Sequence, residues 1–341
     1  YLGHMGLWDL LDDGHGGLDR RPTVLVDRFR DFVTDTLGAV GPWLWRAVQR
    51  ASRLDSGEGE MSVAIVTDSA SDLTAELAAE HGVTVVPLVV TFGEESFLSG
   101  VELPMEEFYS RNRTPDAPFP KTAACSPGDF ESAFRAALDG GHEAVVCITV
   151  GSKLSGTMKS AEIAREGMPD APIHLIDSGS ASMQFGLLVL LAAEMARSGA
   201  TAEAIVSEIE RRRPASKLYV ALDTLEYLKR GGRISGAQAA IGSVLSVKPI
   251  ITITDGVVET ADKPRTRGRA RLRVIELLAA EPVERAWVLH SQAPDIESFT
   301  DELARALDIP RAAISISLIG PSVAPHTGPG AYGAAVLRRI A

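Results

Sequence analysis

Cysteine is scarce in this chain. Cys125 and Cys147 are the only two among 341 residues, so no disulfide framework is indicated. Long apolar runs are lacking too: the longest, Phe185 to Ala193, covers about half of a bilayer span and reads as a buried helix rather than a membrane anchor. A basic balance is missing. Lys and Arg number 34 against 45 Asp and Glu, and the formal net charge of −11 argues against general nucleic-acid binding. The N-terminus shows no basic region followed by an apolar core, so no signal peptide is expected and the location expected is cytoplasmic. Gly-x-Ser-x-Gly is absent from every strand–helix turn, and no Gly-Lys-Ser/Thr closes a Walker A loop. Serine-elbow acyl transfer and nucleotide hydrolysis therefore lack their usual parts. Asp68 and Asp177 invite a metal, but no spacing of His or carboxylates defines a site, and none is expected.

The length suits two domains with real cores, and 45% apolar with 23% charged residues is ordinary for a globular protein. Residues 1–60 stand apart. They hold three of the four tryptophans, a helical apolar spacing from Val26 to Val48 and a polar linker, Asp55-Ser-Gly-Glu-Gly-Glu60; Gly3-His-Met5 reads as a cloning scar. This segment is expected to be a helical arm packing on its own domain or on a second subunit. From Met61, strands alternate with helices: Val63–Thr67, Val83–Val90, Ala144–Val150 and Ile173–Ile176 as strands, with helices at Leu73–Glu80, Phe130–Leu138 and Ser155–Glu166. That alternation predicts a doubly wound, mostly parallel sheet over 61–216, with ligands beyond the carboxyl ends of the strands. An α+β domain is expected over 217–341, with a hairpin around Asp255-Gly256 and helices at Arg269–Ala280 and Ile296–Leu307.

Each polar motif falls at a strand end. His326-Thr-Gly-Pro-Gly330 suits a rigid turn that aims one imidazole and frees backbone N–H groups for an anion, although a lone His near a turn is commonly structural. Ser155, in Ser152-Lys-Leu-Ser-Gly-Thr157, would lie at a helix start, where it or Ser152 caps the helix or helps to hold an anion. Thr122 and Ser126 lie in a second such loop, with Ser126-Pro127 resembling a helix entry. Lys263 to Arg273 places six basic residues in eleven, either as a solvated helix face or as a docking patch for an acidic partner; Arg265 and Arg267 are best placed to reach a phosphate.

In combination these motifs resemble the DegV-like family of bacterial fatty-acid-binding proteins. The resemblance runs from Met61 to the C-terminus. It rests on Val66-Thr-Asp-Ser-Ala-Ser-Asp-Leu73, Lys121-Thr122 with Ser126-Pro127, Ser152 to Thr157, Asp177-Ser178, Asp223-Thr-Leu-Glu-Tyr-Leu-Lys-Arg-Gly-Gly-Arg-Ile-Ser235, Lys248-Pro249, Arg265-Thr-Arg267 and His326 to Gly330. It implies two α/β domains clasping one long-chain fatty acid, with no catalytic residue, cofactor or ATP site of the chain's own. Thr122, Ser155 and His326 would hold the carboxylate in a neutral cradle without a buried Arg partner. Ala123, Ser152 and Gly156 are further candidates for ligand contact. The resemblance also implies a partner, an ATP-dependent fatty acid kinase that phosphorylates the bound carboxylate to an acyl phosphate for phospholipid synthesis; His326 would stabilise charge as the phosphoryl group arrives. The chain departs from the pattern at Ala123 and Gly151, which stand where serines are usual, and at Gln184, which replaces a common glycine and would narrow the pocket. Two other readings remain: an enzyme acting on a small carboxylated or phosphorylated metabolite, with His326 as acid/base, and a lipid-responsive interaction protein with residues 1–60 as its effector arm.

Overall fold

The computed structural model describes residues 63–114, 116–234 and 247–340. The chain divides into two compact units, 1–60 and 61–341, and every described residue belongs to the second. The helical arm and linker expected before residue 61 lie outside the described residues.

Strand β1 (Val63–Asp68) is buried along its whole length. A short 3-10 turn at 69–71 leads to α1 (Ala75–His81), which Thr74 caps by accepting from Leu77 N–H at 3.2 Å. The strand expected over Val83–Val90 is two strands. β2 (Val83–Val86) stays with β1, whereas β3 (Val89–Phe92) turns away to pair antiparallel with β4 (Glu95–Leu98). Pro87 lies at the break, where it has no N–H to continue a ladder. Helix α2 (Met105–Asn112) follows, then β5 (Lys121–Ala123), which completes a three-stranded sheet in the order β4-β3-β5. α3 (Pro127–Asp139) opens on a capping box between Ser126 and Asp129, the helix entry read from Ser126-Pro127. β6 (Ala144–Thr149), α4 (Thr157–Glu166) and β7 (Ile173–Asp177) complete the parallel sheet, in the order β2-β1-β6-β7.

Helix α5 (Met183–Arg197) carries the longest apolar run of the sequence, and Met183 to Leu190 are all buried. A helix apolar all round needs neighbours on every side. It has them: β1 of the parallel sheet on one side, and on the other two strands of a second sheet, β8 (Ser216–Ala221) and a C-terminal strand described below. α6 (Ala202–Arg212) joins α5 to β8. Past β8 come the short α7 (Glu226–Arg230), the hairpin β9 (Ile250–Thr254) and β10 (Val257–Asp262) around Asp255-Gly256, and α8 (Arg267–Leu278). β11 (Val283–His290), α9 (Ile296–Leu307), β12 (Ser315–Leu318), the one-turn α10 (Ala324–Thr327) and β13 (Tyr332–Arg338) end the described chain. The six-stranded sheet runs β10-β9-β8-β13-β11-β12, antiparallel except for β11–β12. β13, the unannounced C-terminal strand, lies in the middle. Its alternating side chains serve two cores: Ala335 and Leu337 face the one shared with α5, while Tyr332, Ala334 and Val336 pack under α8 and α9. The architecture is the expected one, α/β with a parallel sheet followed by a mostly antiparallel one.

Candidate ligand cavity and its polar mouth

A cavity of about 90 Å³ lies between the parallel sheet and the larger, mostly antiparallel one. Ala70 and Val150, each just beyond the carboxyl end of a parallel strand, form one wall. Leu218, Val220, Ile251, Ile253 and Val258 of the larger sheet form the opposite wall. The lining is mostly apolar; Ser182, Ser322 and Thr327 are its buried polar groups, and Thr122, Ser155, Arg233 and His326 are its partly exposed ones.

Thr122 is central in β5, opposite Val90. Its Oγ1 lies 3.1 Å from His326 Nε2, across 204 residues of sequence. Ser155 precedes α4. The N-cap position is Gly156, with no side-chain cap, and the Ser155 hydroxyl accepts from Thr157 N–H at 3.3 Å while lying 2.8 Å from the Thr157 hydroxyl. Thr122, Ser155 and His326 thus line one cavity, joined by Ala123; Ser152 and Gly156 do not line it. Ser152 is exposed, and its N–H donates to Asp177 at 3.1 Å.

The turn at His326 does not free backbone donors. The N–H groups of His326, Gly328 and Gly330 donate to Val323, Ala324 and Ser291 carbonyls at 2.9, 3.0 and 2.8 Å. What the turn presents is the ring. Gly328 has φ +74° and packs so closely on Tyr227 that a Cβ would come within 2.3 Å of that ring, so a side chain there is excluded twice over. Burial, and secondarily the neighbouring Arg233 guanidinium, lower the His326 pKa to about 4, so the imidazole is neutral at pH 7.

Arg233 corrects the expectation of an all-neutral cradle. Its Nε donates to Leu154 O at 3.0 Å and an Nη to Gly231 O at 2.6 Å, and no carboxylate pairs with it among the described residues. A half-buried cation without an internal anion, at the mouth of an apolar cavity, is suited to an anionic ligand. The residue sits inside the motif Asp223 to Ser235 quoted above, but nothing in its spacing announced that it would reach Leu154, 79 residues away.

Arg267 and Arg265 are not part of this mouth. Arg267 donates to Asp295 at 2.6 Å and to Gly330 O at 3.0 Å and lies 4.3 Å over the Tyr332 ring, so it fastens the end of the His326 turn. The same ion pair holds Asp295 below its ordinary pKa. Arg265 is exposed, away from the cavity lining. Arg271 and Arg273 are likewise tied to Asp295, Glu302, Asp262 and Glu276, which makes much of the basic run an internal ion-pair face.

Two buried carboxylates absent from the expected site shape its walls. Asp68 accepts from Ala70 N–H at 2.9 Å and Val150 N–H at 2.7 Å, the two residues of the parallel-sheet wall. Asp72 accepts from Gly320 N–H at 3.0 Å and from the Ser182 hydroxyl. Burial raises both to about 7. Asp177 braces its own loop through Ser152 and Gly179 N–H, and no group of three or more His, Cys, Asp or Glu side chains able to hold a metal occurs among the described residues. Gln184 does not line the cavity. It is buried in α5 and donates to Ser216 O and Ile253 O at 3.1 and 3.2 Å, so it bears on the pocket only through Ile253. At Gly151 a Cβ would meet the backbone of Gly179 and Ser180 at 2.9 Å, which accounts locally for glycine in place of serine.

A family model for DegV, described as uncharacterised, matches residues 62–339. The chain belongs to the DegV family. It is 35% identical over 283 residues to the DegV domain-containing protein SCO2569 of Streptomyces coelicolor, an alignment covering 81% of this chain and 99% of that one. Among solved structures, the fold resembles a fatty-acid-binding DegV family protein from Thermus thermophilus with a TM-score of 0.74 at 35% identity, covering 81% and 99% of the two chains. A stearic-acid-binding protein from Eubacterium ventriosum matches with a TM-score of 0.72 at 31% identity, covering 80% and 97%. No described helix of the present DegV protein is long and apolar enough to cross a membrane.

Proposed function

We propose that this DegV protein binds one long-chain fatty acid, its tail in the inter-sheet cavity and its carboxylate at Thr122, Ser155 and Arg233, with His326 behind Thr122. The observation that carries the reading is a mostly apolar cavity whose mouth holds one cation with no carboxylate partner among the described residues. Burying about fourteen methylenes at ~0.8 kcal/mol each yields roughly 11 kcal/mol gross. Association costs of ~4–15 kcal/mol offset much of that, so a preformed cavity is what makes the affinity useful. The polar mouth then fixes orientation, with carboxylate outward. An outward carboxylate is also the geometry in which a separate ATP-dependent kinase would reach it, and the carrier role, with acyl phosphate as product for phospholipid synthesis, completes the proposal. A small-metabolite enzyme would need a compact polar cleft, which the apolar walls disfavour.

Native mass spectrometry of the purified protein, followed by denaturing extraction, tests the binding step. One equivalent of co-purified fatty acid is the expected result. A protein that is empty and gains no thermal stability from palmitate or oleate would overturn the lipid reading. For the transfer step, ATP and a fatty acid kinase subunit should convert the bound lipid to acyl phosphate, while the lipid-loaded protein with ATP alone should not.

A further inference from the structure

Thr122 and His326 share a hydrogen bond, and its direction decides what the mouth offers a ligand. The opposite edge of the ring settles that direction. Gly231 approaches so closely that a Cβ there would come within 2.1 Å of Nδ1 and 2.7 Å of Cε1. Nδ1 is closed to solvent and has no hydrogen-bond partner. Tyr227, whose carbonyl accepts from Gly231 N–H at 2.9 Å, also holds its ring against Gly328, so the His326 turn and the Gly231 turn are wedged together. A buried N–H without an acceptor is rarer and costlier than a buried acceptor left bare, so the single proton of a neutral imidazole belongs on Nε2. Among the described residues the charged group bearing on the ring is Arg233, which opposes a second positive charge beside it.

We propose that Gly231 and Tyr227 lock His326 as the neutral Nε2–H tautomer, a fixed donor to Thr122 Oγ1 that leaves the Thr122 hydroxyl proton to be donated to the ligand. His326 is then neither acid nor base. Protonating it would bury an N–H against Gly231, so anion binding draws no proton onto the ring. Positive charge at the mouth comes from Arg233 alone among these groups. The identity of the anion as a fatty acid carboxylate rests on the function proposed above; the tautomer does not.

Long-range proton–nitrogen NMR of the full ¹⁵N-labelled chain, lipid-free and with palmitate, reads the tautomer directly. The expected pattern is Nε2-protonated and unchanged from about pH 5.5 to 8 in both samples, outside the ordinary histidine behaviour of titrating near 6.5. His326→Gln, whose amide also donates without charge, should bind palmitate more tightly than His326→Ala. His326→Ala should be weaker than the natural protein by about 2- to 10-fold, the equivalent of one neutral hydrogen bond. Gly231→Ala should displace the ring and abolish the pattern. A ring that titrates between about pH 6 and 7.5, an Nδ1–H tautomer, or a Gln variant as weak as the Ala variant would overturn the proposal. If palmitate binds no variant, nor the natural protein, the lipid reading fails while the lipid-free spectrum still decides the tautomer.

Discussion

Replacing Arg233 with Met should separate binding from stability. The substitution keeps an unbranched, flexible stem and removes the guanidinium, with its bonds to Leu154 O and Gly231 O. Losing two hydrogen bonds to carbonyls is destabilising, but the same change removes a half-buried cation that has no carboxylate partner among the described residues. These effects oppose each other, so the lipid-free melting temperature should shift by no more than about 2–4 °C, the equivalent of ~1 kcal/mol. Binding should respond differently. A hydrogen bond to a charged group contributes ~1.5–3 kcal/mol, so fatty acid affinity should fall by roughly 10- to 150-fold. At a ligand concentration of ~100 Kd the natural protein gains ~2.7 kcal/mol from its ligand, whereas a variant 100-fold weaker gains only ~0.4 kcal/mol at that concentration. Thermal unfolding with and without palmitate, paired with calorimetric titration, measures both quantities. An unchanged affinity would refute the assignment of Arg233 to the head group. A collapse of the lipid-free protein would show that the guanidinium is chiefly structural.

The buried titratable groups predict opposing pH limbs in denaturant unfolding. Asp68 and Asp72, each raised from 3.8 to about 7 by burial, bind protons more tightly folded than unfolded, so their contribution to stability declines as pH rises from about 4 to 7. His326, lowered from 6.5 to about 4, contributes stability that is present above 6.5 and lost as pH falls toward 4; in His326→Gln that acid-side loss should shrink. Val220→Trp, on the β8 wall, should fill the cavity and abolish palmitate binding while the protein stays folded by circular dichroism; retained affinity would place the tail elsewhere. Tyr109→Phe removes a buried hydroxyl that donates to Ile319 O at 2.9 Å and should cost about 1–2 kcal/mol in urea unfolding, through the carbonyl left unpaired.

Local signals carried the regular parts of the fold. Ser126-Pro127 with Asp129 forms a capping box wherever it stands, Asp255-Gly256 turns a hairpin through residues that tolerate positive φ, and the spacing of Ile296–Leu307 suits a helix with one buried face. β13 gave no such signal: Tyr332-Gly-Ala-Ala-Val-Leu is rich in small residues with little strand preference, and its central place comes from neighbours on both edges and cores on both faces. The site divides in the same way. Thr122, Ser155 and His326 were legible as polar groups at chain turns, and the family resemblance grouped them. Arg233, Asp68 and Asp72 were not, because their roles depend on reaching Leu154, Val150 and Gly320 across the fold. Arg267 was legible as a cation, but only the tertiary structure brings Asp295 and Gly330 to it. By itself the sequence determined the alternation of elements, their caps and turns, and the residue types able to meet an anion. The tertiary structure decided which charges are spent internally and which face the cavity, because burial and long-range pairing are properties of the packed chain.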